Sequence, residues 1–266
     1  MKKRISFSRK QLAIPYGIFL LLFVVFPLIL IFVYAFTDAA GNFTFDNFTK
    51  FFTSSSTIAA LINSLIVGIL TTVLCLLIGY PIAYFLANKK YNRSKVLMIL
   101  FIMPMWINFV LRTLATRELL TLMGLNGGEH PFVSTMIGMV YNYLPFMILP
   151  LYNVLEKMDE NVLNAASDLG ANNRDVFTRV IIPMSRPGIV SGITMVFMPT
   201  MSSYVISDLL GERKIQLLGN LIQFNFDYSN WNYGSAIAFL MLIIIGITTL
   251  ITSANETDNP RGGALW

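Results

Sequence analysis

Asp159-Glu160-Asn161-Val162-Leu163-Asn164-Ala165-Ala166-Ser167-Asp168-Leu169-Gly170 lies within a polar stretch, residues 156–186, that separates two long apolar runs. Its apolar residues recur at i, i+3, i+4 and i+7, namely Val162, Ala165, Ala166 and Leu169. This spacing predicts one apolar stripe on a short helix. Asp159 is suited to cap the start of the helix, and Gly170 is suited to end it in a left-handed conformation.

A second short helix is expected directly after Gly170. Asn172 or Asn173 can cap its start, and Pro183 is expected to end it. Its apolar side would consist of Val176, Phe177, Val180 and Ile181. The stretch is therefore predicted to form a helix, a glycine turn and a second helix, an arrangement that membrane spanning alone does not require.

The rest of the chain has the composition of an integral membrane protein. Of its 266 residues, 55% are hydrophobic and only 12% are charged. Mean hydropathy is +0.66. A soluble domain of this size could not bury so much apolar surface. Six apolar runs have membrane-spanning length and predict an all-α protein with six transmembrane helices: residues 14–36, 58–86, 96–114, 134–155, 188–209 and 235–252.

Basic residues predict the orientation of these spans. Fourteen of the 19 lysines and arginines fall in the N-terminal tail, the loops 87–95 and 156–186, and the C-terminal tail. Because lysine and arginine are enriched in cytoplasmic loops, both termini and the 156–186 loop are expected to be cytoplasmic. This bias accounts for the net charge of +5 without a nucleic-acid partner.

The expected organisation is a cytoplasmic tail at 1–13, one transmembrane domain at 14–252 and a polar tail at 253–266. The first apolar run is longer than the apolar part of a secretory signal, so it is interpreted as a retained anchor. Four prolines fall inside expected spans: Pro81, Pro104, Pro145 and Pro199. They indicate either ordinary kinks or hinges around a translocation path, and both interpretations stay open.

The spacing of the 156–186 stretch resembles the cytoplasmic Glu-Ala-Ala loop of ABC-importer permeases. The residues in register are Ala165, Ala166, Gly170, Val180, Ile182 and Pro183. Asn164 stands where that motif has Glu, and Ile182 where it has Leu. Residues 79–86, 104–112, 144–152 and 204–209 further resemble permeases of the spermidine/putrescine type.

This resemblance implies a multi-pass protein of the bacterial inner (plasma) membrane that works in a heteromeric importer. Its implied partners are a second permease subunit, a cytoplasmic ABC ATPase dimer and an extracellular or periplasmic substrate-binding protein. ATP and Mg²⁺ would bind to the ATPase, and no cofactor is expected on this chain. The resemblance assigns ATPase coupling to Asp159, Val162, Asn164, Ala165, Ala166, Asp168, Leu169, Gly170 and Pro183.

Several absences from the sequence favour the same interpretation. There is no Gly-x-x-x-x-Gly-Lys-Ser/Thr phosphate loop, so the chain is not expected to hydrolyse ATP itself. Arg112 and Asp208 fall only at the ends of expected spans, whereas ion-coupled carriers usually keep acids near span centres. The single histidine, His130, and the single cysteine, Cys75, offer no catalytic or disulfide pair. A membrane enzyme and a secondary carrier are the less favoured alternatives.

Transport of a polyamine would require groups that replace water around ammonium ions. Aromatic faces and carboxylates can do this. The expected substrate-path residues are Trp106, Asn108, Tyr141, Tyr143, Tyr204 and Asp208. Trp and Tyr also belong to the interfacial belt of any membrane protein, which is the competing explanation. Ferric iron, thiamine and quaternary amines are the alternative solutes. Arg112 is expected to repel cations, to pair with an acid or to contact the binding protein.

Overall fold

The structure, a computed structural model, describes residues 9–88 and 96–257, and the side chains of 14–88 and 96–252. Within these ranges the chain is helical, with one isolated bridge between Thr37 and Phe43. The predicted all-α class is confirmed. Most of the expected tails at 1–13 and 253–266 lies outside the described residues, as does most of the 87–95 loop.

Fourteen α-helices follow one another in the described ranges. They are α1 (Arg9–Leu20), α2 (Phe26–Ala35), α3 (Asp46–Thr53), α4 (Ser55–Ala87), α5 (Val96–Ile102), α6 (Phe109–Leu122), α7 (Pro131–Glu156), α8 (Glu160–Asp168), α9 (Asn173–Val176), α10 (Ile182–Met184), α11 (Arg186–Ser202), α12 (Val205–Leu210), α13 (Leu218–Asp227) and α14 (Trp231–Thr257). Two π-helical turns, Leu21–Val25 and Phe177–Ile181, and one 3₁₀ turn, Met103–Trp106, connect some of them.

Four of the described helical segments are long and apolar enough to cross a membrane: Ile14–Ala35, Ser55–Ala87, Pro131–Glu156 and Trp231–Thr252. Two bent pairs also pass this test when each pair is taken together. They are Val96–Trp106 with Phe109–Leu122, bent by 95°, and Asn173–Met184 with Arg186–Ser202, bent by 61°. The described residues thus contain four to six candidate spans. Six agrees with the prediction in number, but the second pair begins at Asn173, within the polar stretch 156–186 and before the predicted span 188–209.

Two predicted spans differ from the structure in their course. The run 96–114 is not one helix but breaks at Ile107 and Asn108, where Pro104 lacks an N–H and the Asn108 side chain caps α6. The run 188–209 also divides, because α11 ends at Ser202 and Ser203 is extended with a ψ of 133°. The Asn220 amide donates to the carbonyl of Tyr204 at 3.2 Å, so the interruption is stabilised by a residue distant in sequence.

One compact unit comprises Met1–Ile58 and Leu221–Ile243. Five aromatic rings of this unit surround Phe36, and their centroids lie 4.8 to 6.0 Å from the centroid of its ring. They belong to Phe32, Phe43, Phe45, Phe48 and Phe239. The Asp38 carboxylate accepts backbone hydrogen bonds from Ala40 and Asn42 at 2.9 and 2.8 Å. The hydrogen bond from Asn42 is the main reason that the pKa of Asp38 is lowered. These contacts order the loop that follows α2.

The second compact unit comprises Ala59–Asn220 and Ile244–Trp266. Met147, Ile148 and Leu151 of α7 are fully buried at its centre. Helix α11 approaches α7 closely through two glycines. A Cβ on Gly188 would lie 3.0 Å from the Pro150 carbonyl oxygen, and one on Gly192 would lie 2.5 Å from the Met147 sulfur. Small residues permit such close helix contacts within membranes.

Candidate functional site

The stretch singled out in the sequence forms an elbow, defined here as residues 159–184. Asp159 caps α8, since its carboxylate accepts the N–H of Asn161 at 2.9 Å. At the other end, Gly170 has a φ of +86°. Its N–H donates to the Ser167 carbonyl at 2.9 Å, and the N–H of Ala171 donates to the Ala166 carbonyl at 3.1 Å. This pair of bonds is a Schellman motif, so both predicted ends of the helix are confirmed.

The second limb of the elbow begins at Asn172, which decides between the two candidate caps. Its side chain accepts the N–H of Asp175 at 2.9 Å. The limb continues through a π-helical turn and ends at Met184, one residue beyond Pro183. Its predicted apolar side is turned inward, with Val176 and Ile181 buried and Phe177 and Val180 partly buried.

Three apolar residues at helical spacing are exposed on α8 and its C-cap, among polar neighbours. Leu169 is 89% exposed and Val162 is 40% exposed. Ala165 is also exposed, whereas Ala166 is half-buried and packs with Leu163 against the core. The predicted stripe therefore divides into an inner part and an exposed part, Val162, Ala165 and Leu169, which we name the docking stripe after the role proposed for it below. Asn164 and Asp168 are exposed on the same short helix.

The elbow is attached to the bundle through its second limb. The ring of Phe177 lies edge-on between Tyr80 and Tyr84 of α4, with centroid distances of 5.9 and 5.6 Å. The Tyr80 and Ser185 hydroxyls share a buried hydrogen bond of 2.8 Å. A cavity of about 360 Å³ lies beneath α8, lined in part by Tyr84, Leu155 and Leu163. The second limb therefore contacts α4 through aromatic side chains.

Two of the expected substrate-path residues, Tyr204 and Asp208, line one cavity of about 500 Å³. We call it the Tyr204 cavity, and its lining residues are Arg117, Tyr204, Val205, Asp208, Leu209, Glu212 and Arg213. Tyr204 immediately precedes α12, and the N–H of Asp208 donates to its carbonyl at 2.9 Å. The predicted placement of both side chains one turn apart is confirmed.

Asn220 organises this cavity and was not recognised from the sequence. Its amide donates to Asp208 Oδ1 and to the Tyr204 carbonyl, at 2.5 and 3.2 Å. Its own Oδ1 accepts from Ser207 Oγ and from the N–H of Leu217, both at 2.9 Å. One asparagine therefore holds both α12 and the carboxylate. Asn220 lies in the first turn of α13, and nothing in its neighbouring sequence reveals these distant partners.

The other expected path residues do not line the Tyr204 cavity: Trp106 and Asn108 lie at the break between α5 and α6, and Tyr141 and Tyr143 lie on α7. Trp106 is 80% exposed. Asn108 accepts the N–H of Val110 at 2.9 Å and thus caps α6. Tyr143 donates to the Pro199 carbonyl at 3.4 Å. The structure therefore gives Asn108 and Tyr143 structural hydrogen bonds that the sequence did not reveal.

Tyr141 stacks with a buried arginine. The Arg112 guanidinium carbon lies 5.4 Å from the centre of the Tyr141 ring, and only 8% of Arg112 is exposed. Its hydrogen-bond acceptors are the Asn142 amide and the Pro104 carbonyl, at 2.9 and 3.1 Å, rather than the expected acid. Asn142, which accepts this hydrogen bond, was not recognised from the sequence.

In the described part of the chain, no group of three or more His, Cys, Asp or Glu residues could hold a metal ion. The site consists instead of a solvent-exposed elbow and a charged cavity in a bundle of apolar helices. These features define a polytopic membrane permease.

Comparison with known proteins places the chain among such permeases. Residues 79–256 match the family described as "Binding-protein-dependent transport system inner membrane component". The chain belongs to this family and is the permease subunit of an ABC importer. The family is a multi-pass component of the inner membrane.

Curated relatives support the same placement. The chain is 34% identical to the spermidine/putrescine transport system permease protein PotB of Haemophilus influenzae, over 92% of this chain and 93% of that protein. It is 35% identical to PotB of Escherichia coli K12, over 79% of this chain and 81% of that protein. A crystal structure of a bacterial ABC transporter that imports the acidic polysaccharide alginate shares the fold. Its TM-score is 0.76 at 14% identity, covering 95% of this chain and 96% of that one.

Proposed function

We propose that this chain forms half of the translocation path of an ATP-driven importer for polyamines such as spermidine and putrescine. It works in the bacterial cell membrane with both termini and the elbow in the cytoplasm. A second permease subunit completes the path. A cytoplasmic ABC ATPase dimer binds ATP and Mg²⁺, and an extracellular or periplasmic binding protein delivers the polyamine.

One observation carries the coupling role: an apolar stripe is exposed on a helix whose two ends are both fixed. Leu169 is 89% exposed, although nothing in membrane spanning requires an apolar side chain there. The Asp159 cap and the Gly170 motif make α8 a preformed unit, which suits insertion into a groove of another protein. Asn164 presents an amide where the related motif has a carboxylate, so its contact to the ATPase is a neutral hydrogen bond.

The polyamine assignment is supported by the chemistry of the Tyr204 cavity and by the similarity to PotB. Asp208 offers a carboxylate and Tyr204 an aromatic ring beside it. Together they can replace part of the water around an ammonium group, and each cation–π contact contributes about 0.5–2 kcal/mol. Trp106 and Tyr141 belong to the same proposal, although they do not line this cavity. Ferric iron, thiamine and quaternary amines are the alternative cargoes. All of them are cations, and an aromatic ring beside a carboxylate does not by itself distinguish one cation from another.

The mechanism that follows is alternating access. Closure of the ATPase dimer on ATP moves α8 as a rigid body, and the Phe177 contacts transmit this motion to α4. The bundle then opens outward, where the binding protein releases its ligand. Hydrolysis returns the bundle to its inward state. Because this chain supplies a path and a contact surface, its residues take no part in the hydrolysis chemistry.

The test is to purify the chain with its partner subunits, reconstitute the complex in liposomes and measure ATP hydrolysis. Cognate binding protein would be added empty or loaded with spermidine, putrescine, thiamine, Fe³⁺ or a quaternary amine. We expect the polyamine-loaded protein to stimulate hydrolysis and to drive uptake of labelled polyamine. Stimulation by another solute with no response to either polyamine would overturn the cargo assignment.

A further inference from the structure

The Tyr204 cavity is lined by two acids and two bases. Glu212 Oε1 lies 3.6 Å from Arg117 Nη2, and Asp208 Oδ2 lies 4.0 Å from Arg213 Nε. Each carboxylate therefore already has a guanidinium beside it. A cavity balanced in this way does not attract a polycation by net charge, so a cationic ligand must exchange with a residue that is already present.

The backbone around Arg213 is held in an unusual conformation. Glu212 and Arg213 have φ angles of +48° and +59°, and the N–H of Lys214 donates to the Gly211 carbonyl at 2.9 Å. This is a tight turn with both central residues in the left-handed region, where Gly or Asn is usual. A residue other than glycine is strained in this region, and strain of this kind concentrates at functional sites.

Two contacts hold this turn, residues 211–214: one to the loop before α7 and one to α6. The Lys214 ammonium donates to the Gly128 carbonyl, and the Arg117–Glu212 pair ties the turn to α6. Gly127 permits this approach, since a Cβ there would lie only 2.1 Å from the Leu210 carbonyl oxygen. The turn is thus fixed on both sides of Arg213, and the fixed backbone directs Arg213 towards Asp208.

The two oxygens of Asp208 have different surroundings. Oδ1 accepts from the Asn220 amide, which fixes the carboxylate. Oδ2 faces Arg213, whose side chain is 85% exposed and makes a single long contact. Bidentate arginine–carboxylate pairs are strong, whereas a single exposed contact is weak. Of the two guanidinium groups in the cavity, that of Arg213 is therefore the more easily displaced.

We propose that Arg213 is a tethered counter-cation that occupies Asp208 until an ammonium group of the cargo replaces it. This inference rests on the proposed function and names the residue that the cargo must displace. The exchange leaves Asp208 paired throughout, which avoids the cost of a bare carboxylate in a partly desolvated cavity. Asn220 is the positioning residue, because it holds one oxygen of Asp208 while the other changes partner.

The experiment measures equilibrium binding of radiolabelled spermidine to the purified whole transporter without binding protein. This choice removes the delivery step, which would otherwise mask affinity at the cavity. Arg213→Ala is expected to bind spermidine about two- to fivefold more tightly than the wild type, because an exposed ion pair no longer competes. Arg213→Lys keeps the competing charge and should stay near the wild-type affinity.

The control is the same substitution in an Asp208→Asn background, where Arg213→Ala should give no gain. Melting temperatures of the variants must stay close to that of the wild type, since a structural role would lower them instead. Unchanged or weaker binding by Arg213→Ala would refute the tethered counter-cation. A different result would separate the two proposals. If neither protein binds spermidine, but Arg213→Ala binds another organic cation more tightly than the wild type does, the polyamine assignment fails and the exchange at Asp208 stands.

Discussion

Arg112 Nη1 donates a hydrogen bond of 3.1 Å to the carbonyl of Pro104, across the 95° break between two helical segments. The same guanidinium donates from Nε to Asn142 Oδ1 at 2.9 Å, so it joins the two halves of the broken segment to α7. The Pro104 carbonyl lies near the end of a helical segment, where partial negative charge accumulates. A neutral carbonyl and an amide thus compensate a buried cation without a carboxylate.

Replacement of Arg112 by Met is expected to destabilise the protein, because it removes the donor to the buried Asn142 Oδ1. One unpaired acceptor costs about 1–3 kcal/mol, whereas the Pro104 carbonyl keeps its hydrogen bond from the N–H of Ile107, at 3.2 Å. Thermal unfolding of the purified transporter measures the loss. Arg179→Met is the matched control, since Arg179 has an exposed side chain and, within the described residues, forms its ion pair with Asp175, four residues earlier, at 3.3 Å. Such a pair contributes about 0.3–0.5 kcal/mol. Equal melting temperatures for the two variants would contradict the bridging role.

The left-handed Gly170 offers a test of the elbow as a rigid unit. Ala at this position costs about 1–2 kcal/mol, because its Cβ approaches the following carbonyl oxygen. We expect Gly170→Ala to reduce polyamine-stimulated ATP hydrolysis while membrane abundance stays normal. Gly41 has the same φ of +86° and open space around it, as Gly170 does. Gly41→Ala therefore carries the same backbone cost outside the elbow and should leave the stimulation intact.

Leu169 allows the docking stripe to be tested directly. Leu169→Asp places an unpaired charge in the proposed contact with the ATPase, and we expect at least about 2 kcal/mol of lost binding. This corresponds to roughly 30-fold weaker association, measured by titrating the ATPase onto the reconstituted permease. Leu122 is 84% exposed, close to the 89% of Leu169, and lies at the end of α6. If Leu122→Asp impaired association as much as Leu169→Asp, α8 would lose its special role.

The elbow could be predicted almost completely from the sequence because its signals are local. Asp159 and Asn172 cap helices a few residues ahead, and Gly170 adopts the left-handed conformation that its position indicates. Capping depends on neighbours in sequence, so it is readable without knowledge of the fold. Membrane-spanning length is likewise readable from composition, and four long spans appear as expected.

The cavity and the helix breaks could be predicted only in part, because they depend on residues that meet through the fold. Tyr204 and Asp208 share one turn and could be paired from spacing alone. Asn220 lies 12 residues beyond Asp208, and Arg117 approaches Glu212 from a different helix. No periodicity connects such positions. The interruption at Ser203 was missed for the same reason, since Asn220 stabilises it from the following segment.

A substitution at Phe177 can test the transfer of motion from α8 to α4 separately from the binding of the ATPase. Its ring touches Tyr80 and Tyr84 edge-on, and such contacts contribute about 0.5–1.5 kcal/mol each. Phe177→Ala leaves the docking stripe unchanged, so the ATPase should still bind with wild-type affinity. The motion of α8 would reach α4 less effectively, and we expect less polyamine transported per ATP hydrolysed.

Liposome uptake and phosphate release, measured on the same preparation, give this ratio. Phe224→Ala is the control, because Phe224 is exposed and forms an aromatic pair with Tyr228, four residues later, at 4.5 Å. Its transport ratio should equal that of the wild type. If Phe177→Ala also kept the wild-type ratio while the ATPase remained bound, the force would have to reach the bundle through another contact, such as the buried Tyr80–Ser185 hydrogen bond. Tyr80→Phe would then be the variant that lowers the ratio.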